Sequence, residues 1–418
     1  MMTGKERIQT VLSHREADRI ALYFGATSVT GIHVKTVAAL RRHYGLKDQP
    51  VKVIEPFQML GEIDDELIRL WNVDTVGVGG QSDMFGHRQD DFVEKRMPWG
   101  QTVLLPSGFH TKEENGNLYV FPQGDTHCSP TAVMPKGGYF FDAIERSPTT
   151  EMDAELNIED NLEEFSVMTD AALSYWKETL RKARATGRAV VANIGGMGFG
   201  DIALVPGLHL KNPKGIRAIA DWYMSTVIRA DFIGEIFDRQ ADIALQNLEK
   251  VNQAAGDCID ILFVCGTDFG TQGSQFCSAA TLADLYGPSY RKINDWVHRN
   301  TAWKTFKHSC GAIVPLINTF IDCGFDIINP VQINATGMVP DFLKEEFGDR
   351  ITFWGGGIDT QRMLQTGTPQ QVKDQVQQLC EIFGEGGGFV FNTVHNVQAN
   401  VPMENIIAMM DAICDIRR

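Results

Sequence analysis

The sequence predicts an α/β protein built as a (β/α)8 barrel, and three features predict it. Short β-type runs recur along the chain, helical stretches separate them, and each run ends in polar or glycine residues. Strands that alternate with helices form a parallel sheet with right-handed crossovers. Seven or eight such units suit a closed barrel whose polar strand ends surround one mouth. The alternative arrangement is an open, doubly wound sheet.

Eight candidate strands carry this rhythm. They are, in chain order, residues 19–24, 74–79, 189–194, 259–265, 303–306, 325–328, 351–354 and 389–391. Residues 281–300 and 369–383 place apolar side chains at helical spacing between the later strands. Thr3 and Glu6 have the spacing of a capping box, which predicts an N-terminal helical extension before the first strand.

Residues 80–162 interrupt the strand–helix rhythm. They contain two β-type runs, 101–105 and 118–121, separated by a polar loop, which predicts a β-hairpin. Long connections in compact domains are usually lids or binding loops. We therefore expect one barrel domain over residues 1–418, with residues 80–162 forming an insertion over the mouth.

The composition favours a cytoplasmic protein. No apolar run approaches the roughly 20 residues that span a bilayer, and residues 1–19 lack the pattern of a signal peptide. The eight cysteines are scattered rather than arranged as a disulfide framework, which suits a reducing compartment. A formal net charge of −15 argues against nucleic acid and anionic membranes as partners. The sequence leaves the oligomeric state open, and a homodimer is one assembly it allows.

The most specific chemical signal is the pair His308 and Cys310, at the end of the fifth predicted strand. Residues two apart on a strand share a face, so the imidazole and the thiol would project together. His395 follows the last predicted strand and would reach the same mouth. Three protein ligands with one open position are typical of catalytic zinc. The alternative is that His308 hydrogen-bonds within the mouth and Cys310 is a small buried apolar residue.

Other polar residues also follow predicted strands. Asp268 and Asp359 are candidate catalytic carboxylates, although a helix N-cap is the competing role for such an aspartate. Four amides are candidate substrate-binding groups, namely Gln272, Asn329, Gln332 and Asn396. The glycine run 195–200 lacks the spacing of a nucleotide loop. It indicates either the close approach of a large ligand or a tight turn.

These motifs together resemble the uroporphyrinogen decarboxylase superfamily. The resemblance rests on His308-Ser309-Cys310-Gly311 and on the runs at 326–332, 356–361, 387–391 and 402–405. It extends from about residue 189 onward and more faintly over the N-terminus. It implies a (β/α)8 barrel and one of two chemistries. One is the decarboxylation of uroporphyrinogen without a cofactor, and the other is zinc-dependent methyl transfer to or from a corrinoid protein.

The resemblance favours the methyltransferase branch. The decarboxylases bind an octacarboxylate with an arginine-rich segment after the first strand, but residues 21–30 contain no arginine. Without local cations, desolvating so many carboxylates in an acidic protein is prohibitive. The methyltransferases ligate zinc with His-x-Cys and a distant cysteine. Here His308 and Cys310 match the pair, and the third position falls on His395.

We therefore expect a zinc-dependent enzyme that moves a methyl group between a small methylated compound and cobalamin on a partner protein. The imidazole of His395 in place of a thiolate leaves zinc more positive, which favours polarising a methoxy or N-methyl donor. The alternatives are a carboxy-lyase like uroporphyrinogen decarboxylase and a non-catalytic corrinoid- or ligand-binding barrel. The sequence names neither the methyl donor nor the direction of transfer.

Overall fold

The computed structural model describes residues 2–147, 150–151 and 155–416. Its central sheet has eight parallel strands, which in order of pairing are the first, eighth, seventh, sixth, fifth, fourth, third and second along the chain. They are Ala21–Leu22, Thr75–Val78, Ala189–Ala192, Ile261–Cys265, Lys304–His308, Ile327–Asn329, Thr352–Trp354 and Phe389–Phe391. The predicted (β/α)8 barrel is confirmed, and each strand lies within or overlaps its predicted run.

Alternating side chains divide each strand between the barrel interior and the surrounding helices. Ile261 and Phe263 point inward, whereas Leu262 and Val264 belong to the layer beneath the helices. A parallel strand covered on both faces can therefore be apolar throughout, as the fully buried fourth strand shows. Aromatic rings fill the interior, with Phe306 and Trp354 5.5 Å apart at their centroids. The barrel is thus a packed core, and chemistry is confined to its mouth.

Helices surround the sheet. They are Gly4–Leu12, Val34–His43, Asp65–Trp71, Asp170–Arg184, Ile219–Ile228, Ala230–Ala255, Ala279–Thr281, Gly287–Asn300, Val314–Asp322, Pro340–Phe347, Met363–Thr366, Pro369–Gly384 and Met403–Asp415. Both halves of the predicted capping box form, because Thr3 Oγ1 accepts from the Glu6 amide and Glu6 accepts from the Thr3 amide. Among the described residues, every helix is too short or too polar to cross a bilayer.

Nine further strands among the described residues form two smaller sheets. The first contains, in order, Ile32–His33, Leu60–Gly61, Val51–Glu55, Thr102–Pro106 and Phe92–Arg96. The second contains Asp142–Ala143, Ala132–Met134, Asn117–Val120 and Thr111–Glu114. The two smaller sheets are therefore built from residues 32–61 as well as from the predicted insertion. Treating residues 80–162 as an insertion over one barrel domain stays a proposal.

The predicted pairing of residues 101–105 with residues 118–121 is wrong. Thr102–Pro106 pairs with Phe92–Arg96, and Asn117–Val120 pairs with Thr111–Glu114. The turn between the last two strands has Asn115 and Gly116 at φ values of 54° and 82°. Two successive positive φ values match the twist of a tight two-residue hairpin, so the strand pairs with its immediate neighbour.

A buried ion-pair cluster joins the first and second barrel strands, which have no direct ladder between them. Asp74 precedes the second strand, and its Oδ2 accepts from the Leu22 amide at 2.8 Å. The Arg7 guanidinium reaches Asp74 Oδ1 at 2.5 Å, and Arg19 also pairs with this carboxylate at 2.9 Å. The N-terminal helix thus supplies a cation that holds the first and second strands together. Their junction is the seam of the barrel.

We expect Asp74→Ala to destabilise the fold by about 3 kcal/mol, because Arg7 and the buried Leu22 amide lose the acceptor that they share, while Asp18 remains as the counter-charge of Arg7. Urea unfolding followed by circular dichroism measures the change in free energy of unfolding. Glu178→Ala is the control, since Glu178 pairs with Lys182 on an exposed helix surface and should matter little. Equal midpoints for the two variants would contradict a structural role for the seam.

Candidate metal centre at the barrel mouth

The fifth strand and the loop after the eighth strand bring His308, Cys310 and His395 together. His308 ends the fifth strand and is 2% exposed, while Cys310 and His395 are partly exposed. The chain turns sharply after Cys310, where Gly311 has a φ of 91°. A Cβ on Gly311 would lie 2.3 Å from the carbonyl carbon of Gly270, so only glycine allows this contact between loops.

The three side chains have the spacing of a metal site. One ligand atom from each lies within 4.8 Å of the other two, and Cys310 Sγ is 3.4 Å from His308 Nε2. Bonds of about 2.0–2.3 Å in a tetrahedral site separate neighbouring ligand atoms by roughly 3.5 Å. The arrangement therefore fits a metal ion with three protein ligands and leaves one position for another group.

A hydrogen-bond chain orients the His308 ring. Asn329 Nδ2 donates to the Trp354 carbonyl at 2.6 Å, which leaves Asn329 Oδ1 as the acceptor facing His308. His308 Nδ1 lies 2.6 Å from that oxygen and donates to it. The ring proton is therefore held on Nδ1, and the lone pair of Nε2 points toward Cys310. Residues that hydrogen-bond to a ligating histidine in this way fix its tautomer and the direction of its ring.

The electrostatic setting suits neutral imidazoles. Burial lowers the pKa of His308, and Asp268 partly opposes that shift. Burial and the neighbouring His308 lower the pKa of His395 to about 4. Burial, with Asp268, raises the pKa of the Cys310 thiol well above its usual range. Both rings are thus uncharged at neutral pH, as metal ligation requires, and a metal would displace the thiol proton.

The two predicted carboxylates occupy different environments. Asp268 Oδ1 accepts from the Cys310 amide at 2.7 Å and lies 3.6 Å from His308 Nε2, so it borders the metal centre. Asp359 instead accepts from the amides of Gln361 and Arg362 at 2.8 and 3.3 Å. These contacts cap a turn rather than the following helix, whose N-cap is Arg362, so the competing role of a helix N-cap is wrong for Asp359. A catalytic role for either carboxylate stays a prediction.

The four predicted substrate-binding amides all have protein partners. Asn329 holds His308, as described. Gln332 accepts from the Gly311 amide at 2.7 Å and donates to Gln272 at 2.8 Å. Asn396 accepts from the Gly31 amide at 2.6 Å, and its Nδ2 donates to Ser28 and Gln58. These amides organise the loops around the mouth, and their contact with a substrate stays a prediction.

The glycine run after the third strand forms the predicted tight turn, and the approach of a large ligand stays a prediction. Gly195, Gly196 and Gly200 have φ values of 81°, 76° and 63°, so a tight turn requires glycine there. A cavity of about 270 Å³ lies beside Gly195 and Gly196. A second cavity of about 770 Å³ lies between the first and second strands. The metal-centre residues line neither cavity.

Sequence reasoning missed Lys307, which lies beside the candidate ligands and is fully buried. Its Nζ donates to the carbonyls of Thr267 and His308 at 2.6 and 2.5 Å. It also lies 5.0 Å from the Phe269 ring centroid, within cation–π range. A lysine at the end of an apolar run normally marks the end of burial, so the sequence carries no signal for this role.

Comparisons with known proteins agree with this architecture. The family model of uroporphyrinogen decarboxylase (URO-D) matches residues 214–416. The predicted resemblance is therefore confirmed, and this part of the chain carries the sequence pattern of that superfamily. The methyltransferase from Methanosarcina mazei superposes with a TM-score of 0.53 at 12% identity, covering 99% of both chains. At that identity the likeness shows the shared barrel fold.

Two curated relatives match a shorter segment. The uroporphyrinogen decarboxylase of Pseudoalteromonas atlantica is 33% identical over 73 residues, and that of Psychromonas ingrahamii is 32% identical over 73 residues. Each match covers 18% of this chain and 20% of the relative. The chain thus matches about a fifth of the length of these relatives.

We expect Asn329→Ala to weaken metal binding by about 10–100-fold, because His308 loses the partner that fixes its tautomer. Titration with Co²⁺, whose thiolate complex absorbs in the near ultraviolet, measures the affinity. Asn405→Ala is the control, since this buried amide donates to Leu364 and Gly367 outside the metal centre. Unchanged Co²⁺ affinity in Asn329→Ala would show that the hydrogen-bond chain does not orient a ligand.

Proposed function

We propose that this protein is a zinc-dependent methyltransferase that moves a methyl group between a small methylated compound and a corrinoid protein. The cluster of His308, Cys310 and His395 at the mouth of a barrel of this superfamily carries the proposal. Nitrogen and sulfur donors in a three-ligand site with an open position are the donor set of catalytic zinc. The name of the structural relative from Methanosarcina mazei adds support for methyl transfer.

Each residue of the centre has a defined task in this proposal. His308 Nε2, Cys310 Sγ and a ring nitrogen of His395 would hold zinc. When bound there, zinc acts as a Lewis acid that polarises the heteroatom carrying the methyl group. Asn329 keeps the His308 lone pair directed at the site. Asp268 holds the Cys310 backbone and presents a carboxylate beside the open position.

A carboxy-lyase acting like uroporphyrinogen decarboxylase is the second candidate, because the family model and both curated relatives carry that name. The charge around the mouth disfavours it. The cavity beside residues 24–28 is lined by six acidic residues, Glu55, Glu62, Asp64, Asp65, Glu66 and Asp83. Its lining cations are Lys52 and Arg188. A substrate with eight carboxylates would meet net repulsion there.

The partner in this proposal is a corrinoid-binding protein that presents cobalamin at the barrel mouth. All eight cysteines are free thiols, which agrees with the reducing cytoplasm in which we place the reaction. The small methylated compound would enter beside the open metal position. A homodimer is a compatible assembly, since the proposed chemistry uses one chain.

We expect about one zinc per chain in protein purified without added metal, and far less in the double variant Cys310→Ala/His395→Ala, which removes two of three ligands. Elemental analysis by plasma mass spectrometry measures the content. Cys258→Ala is the control, because this buried thiol lies beside Asp257 rather than in the cluster. Full zinc content in the double variant would place the metal elsewhere.

We expect the protein to convert cob(I)alamin to methylcobalamin with a suitable donor, followed by the change in visible absorption. Donors to screen are methoxyaromatics, methylamines and methylated thiols. His308→Ala should lose about 100-fold or more of this activity, because the metal's contribution amounts to several kcal/mol.

His298→Ala is the matched control, since His298 pairs with Asp326 in a partly exposed contact outside the metal centre. Carbon dioxide release from uroporphyrinogen with no change in the cobalamin spectrum would establish the carboxy-lyase instead. Tight binding of zinc and of a corrinoid protein without methyl transfer would identify a non-catalytic binding barrel.

A further inference from the structure

Two polar side chains near the barrel mouth, Asp201 and Tyr223, have atoms without a hydrogen-bond partner. Asp201 follows the glycine run of the third strand and is 9% exposed. Its Oδ1 accepts from the Ala203 amide at 3.0 Å, while Oδ2 has no hydrogen-bond donor among the described residues. Tyr223, on helix Ile219–Ile228, has a buried hydroxyl that lacks a partner in the same part of the chain. Buried polar groups are rarely left unpaired, so the Tyr223 hydroxyl is available to a ligand, and Asp201 Oδ2 is an acceptor beside it without a protein donor.

Two glycines keep space around the free oxygen of Asp201. A Cβ on Gly266 would lie 3.1 Å from Oδ2, and a Cβ on Gly198 would lie 3.7 Å from it. Neither glycine has the positive φ that would itself require glycine. The backbone conformation therefore does not explain Gly266, whereas the need for room beside this carboxylate does.

Asp201 reaches the loop that borders the metal centre, because its Oδ2 lies 3.1 Å from the Cβ position of Gly266, two residues before Asp268, which accepts from the Cys310 amide. The charged groups that act on Asp201 are Asp268 after the fourth strand and Lys307 on the fifth strand. Asp201 and Asp268 in turn act on Tyr223 on its helix. Burial raises the pKa of Asp201 to about 6, with Asp268 raising it and Lys307 lowering it. Burial, Asp268 and Asp201 raise the pKa of Tyr223, so its hydroxyl keeps its proton.

We propose that Asp201 is the acid that protonates the heteroatom released from the methyl donor, and that the Tyr223 hydroxyl hydrogen-bonds the same heteroatom. The inference rests on the proposed methyl transfer and names its substrate class as a methyl ether. An ether oxygen leaves as a basic anion and needs a proton, whereas a quaternary amine leaves neutral and needs none.

The step balances without a further reagent. The oxygen–methyl bond breaks and leaves its electron pair on oxygen. The methyl carbon bonds to the cobalt(I) of the corrinoid through the electron pair of cobalt. The oxygen takes the proton of the Asp201 carboxyl, which becomes a carboxylate and regains a proton from water after the alcohol or phenol leaves.

A test without turnover uses difference infrared spectroscopy of the zinc-loaded protein between pH 4 and pH 8. A protonated carboxyl band should titrate above the usual pKa of an aspartate in the wild type and vanish in Asp201→Asn. Glu55→Gln is the matched control. Glu55 is another buried carboxyl, whose pKa is raised to about 7 by burial, and it accepts from Phe57 and Gln58 away from the metal centre. A spectrum unchanged by Asp201→Asn would overturn the assignment.

The kinetic test compares 2-methoxyphenol with tetramethylammonium as donors to cob(I)alamin. Asp201→Asn should slow the methoxy donor by about 100-fold and change the ammonium donor by less than about threefold. The wild-type rate with 2-methoxyphenol should fall as pH rises above about 6, whereas the residual rate of Asp201→Asn should be independent of pH in this range. Tyr223→Phe should slow the methoxy donor while keeping the wild-type pH dependence.

The outcomes separate the inference from the function on which it rests. Methyl transfer that Asp201→Asn slows equally with both donors, or leaves unchanged, overturns the role of Asp201 and keeps the methyltransferase. A wild-type protein that methylates cobalamin with the ammonium donor alone overturns the ether assignment. Failure of every methylated donor overturns the methyltransferase itself, whatever the infrared titration shows.

Discussion

The two-residue repeat of the fifth barrel strand is the constraint on which the site depends. It places Phe306 in the barrel interior, Lys307 in the layer beneath the helices and His308 at the mouth. Phe306 and Trp354 close the interior below the site. Lys307 ties the loop after the fourth strand to the fifth strand through two carbonyls. A shift of one residue would exchange the imidazole for an ammonium group and abolish the centre.

Support for this strand comes from its neighbours in the sheet rather than from its neighbours in sequence. Asn329 ends the sixth strand, and Trp354 ends the seventh. The hydrogen bonds from His308 to Asn329 and from Asn329 to the Trp354 carbonyl therefore cross three adjacent strand ends. The orientation of one ring is thus coupled to the register of three strands, and a precise site follows from an intact barrel.

Much of this architecture could be predicted from the sequence, because buried parallel strands are continuous apolar runs that end in polar residues. The positions of His308 and Cys310 followed from strand periodicity, and that of His395 from barrel closure. The pairing at 101–106 could not be inferred reliably, since its partner 92–96 carries mixed charged and apolar residues. Lys307 and Asp201 were missed because long-range contacts alone define their surroundings. No local pattern distinguishes a capping aspartate such as Asp359 from one beside a metal centre.

The contact between Gly270 and Gly311 has a consequence for how the centre is assembled. The backbone of each loop occupies the space that a side chain on the other would need, and the Ala312 amide donates to the Thr271 carbonyl at 2.8 Å. The segments that carry Asp268 and Cys310 are thereby locked as one unit. Because folding already orders these loops, metal binding would remove little further conformational entropy. The candidate centre is in this sense a property of the folded barrel and would be formed before any metal ion binds.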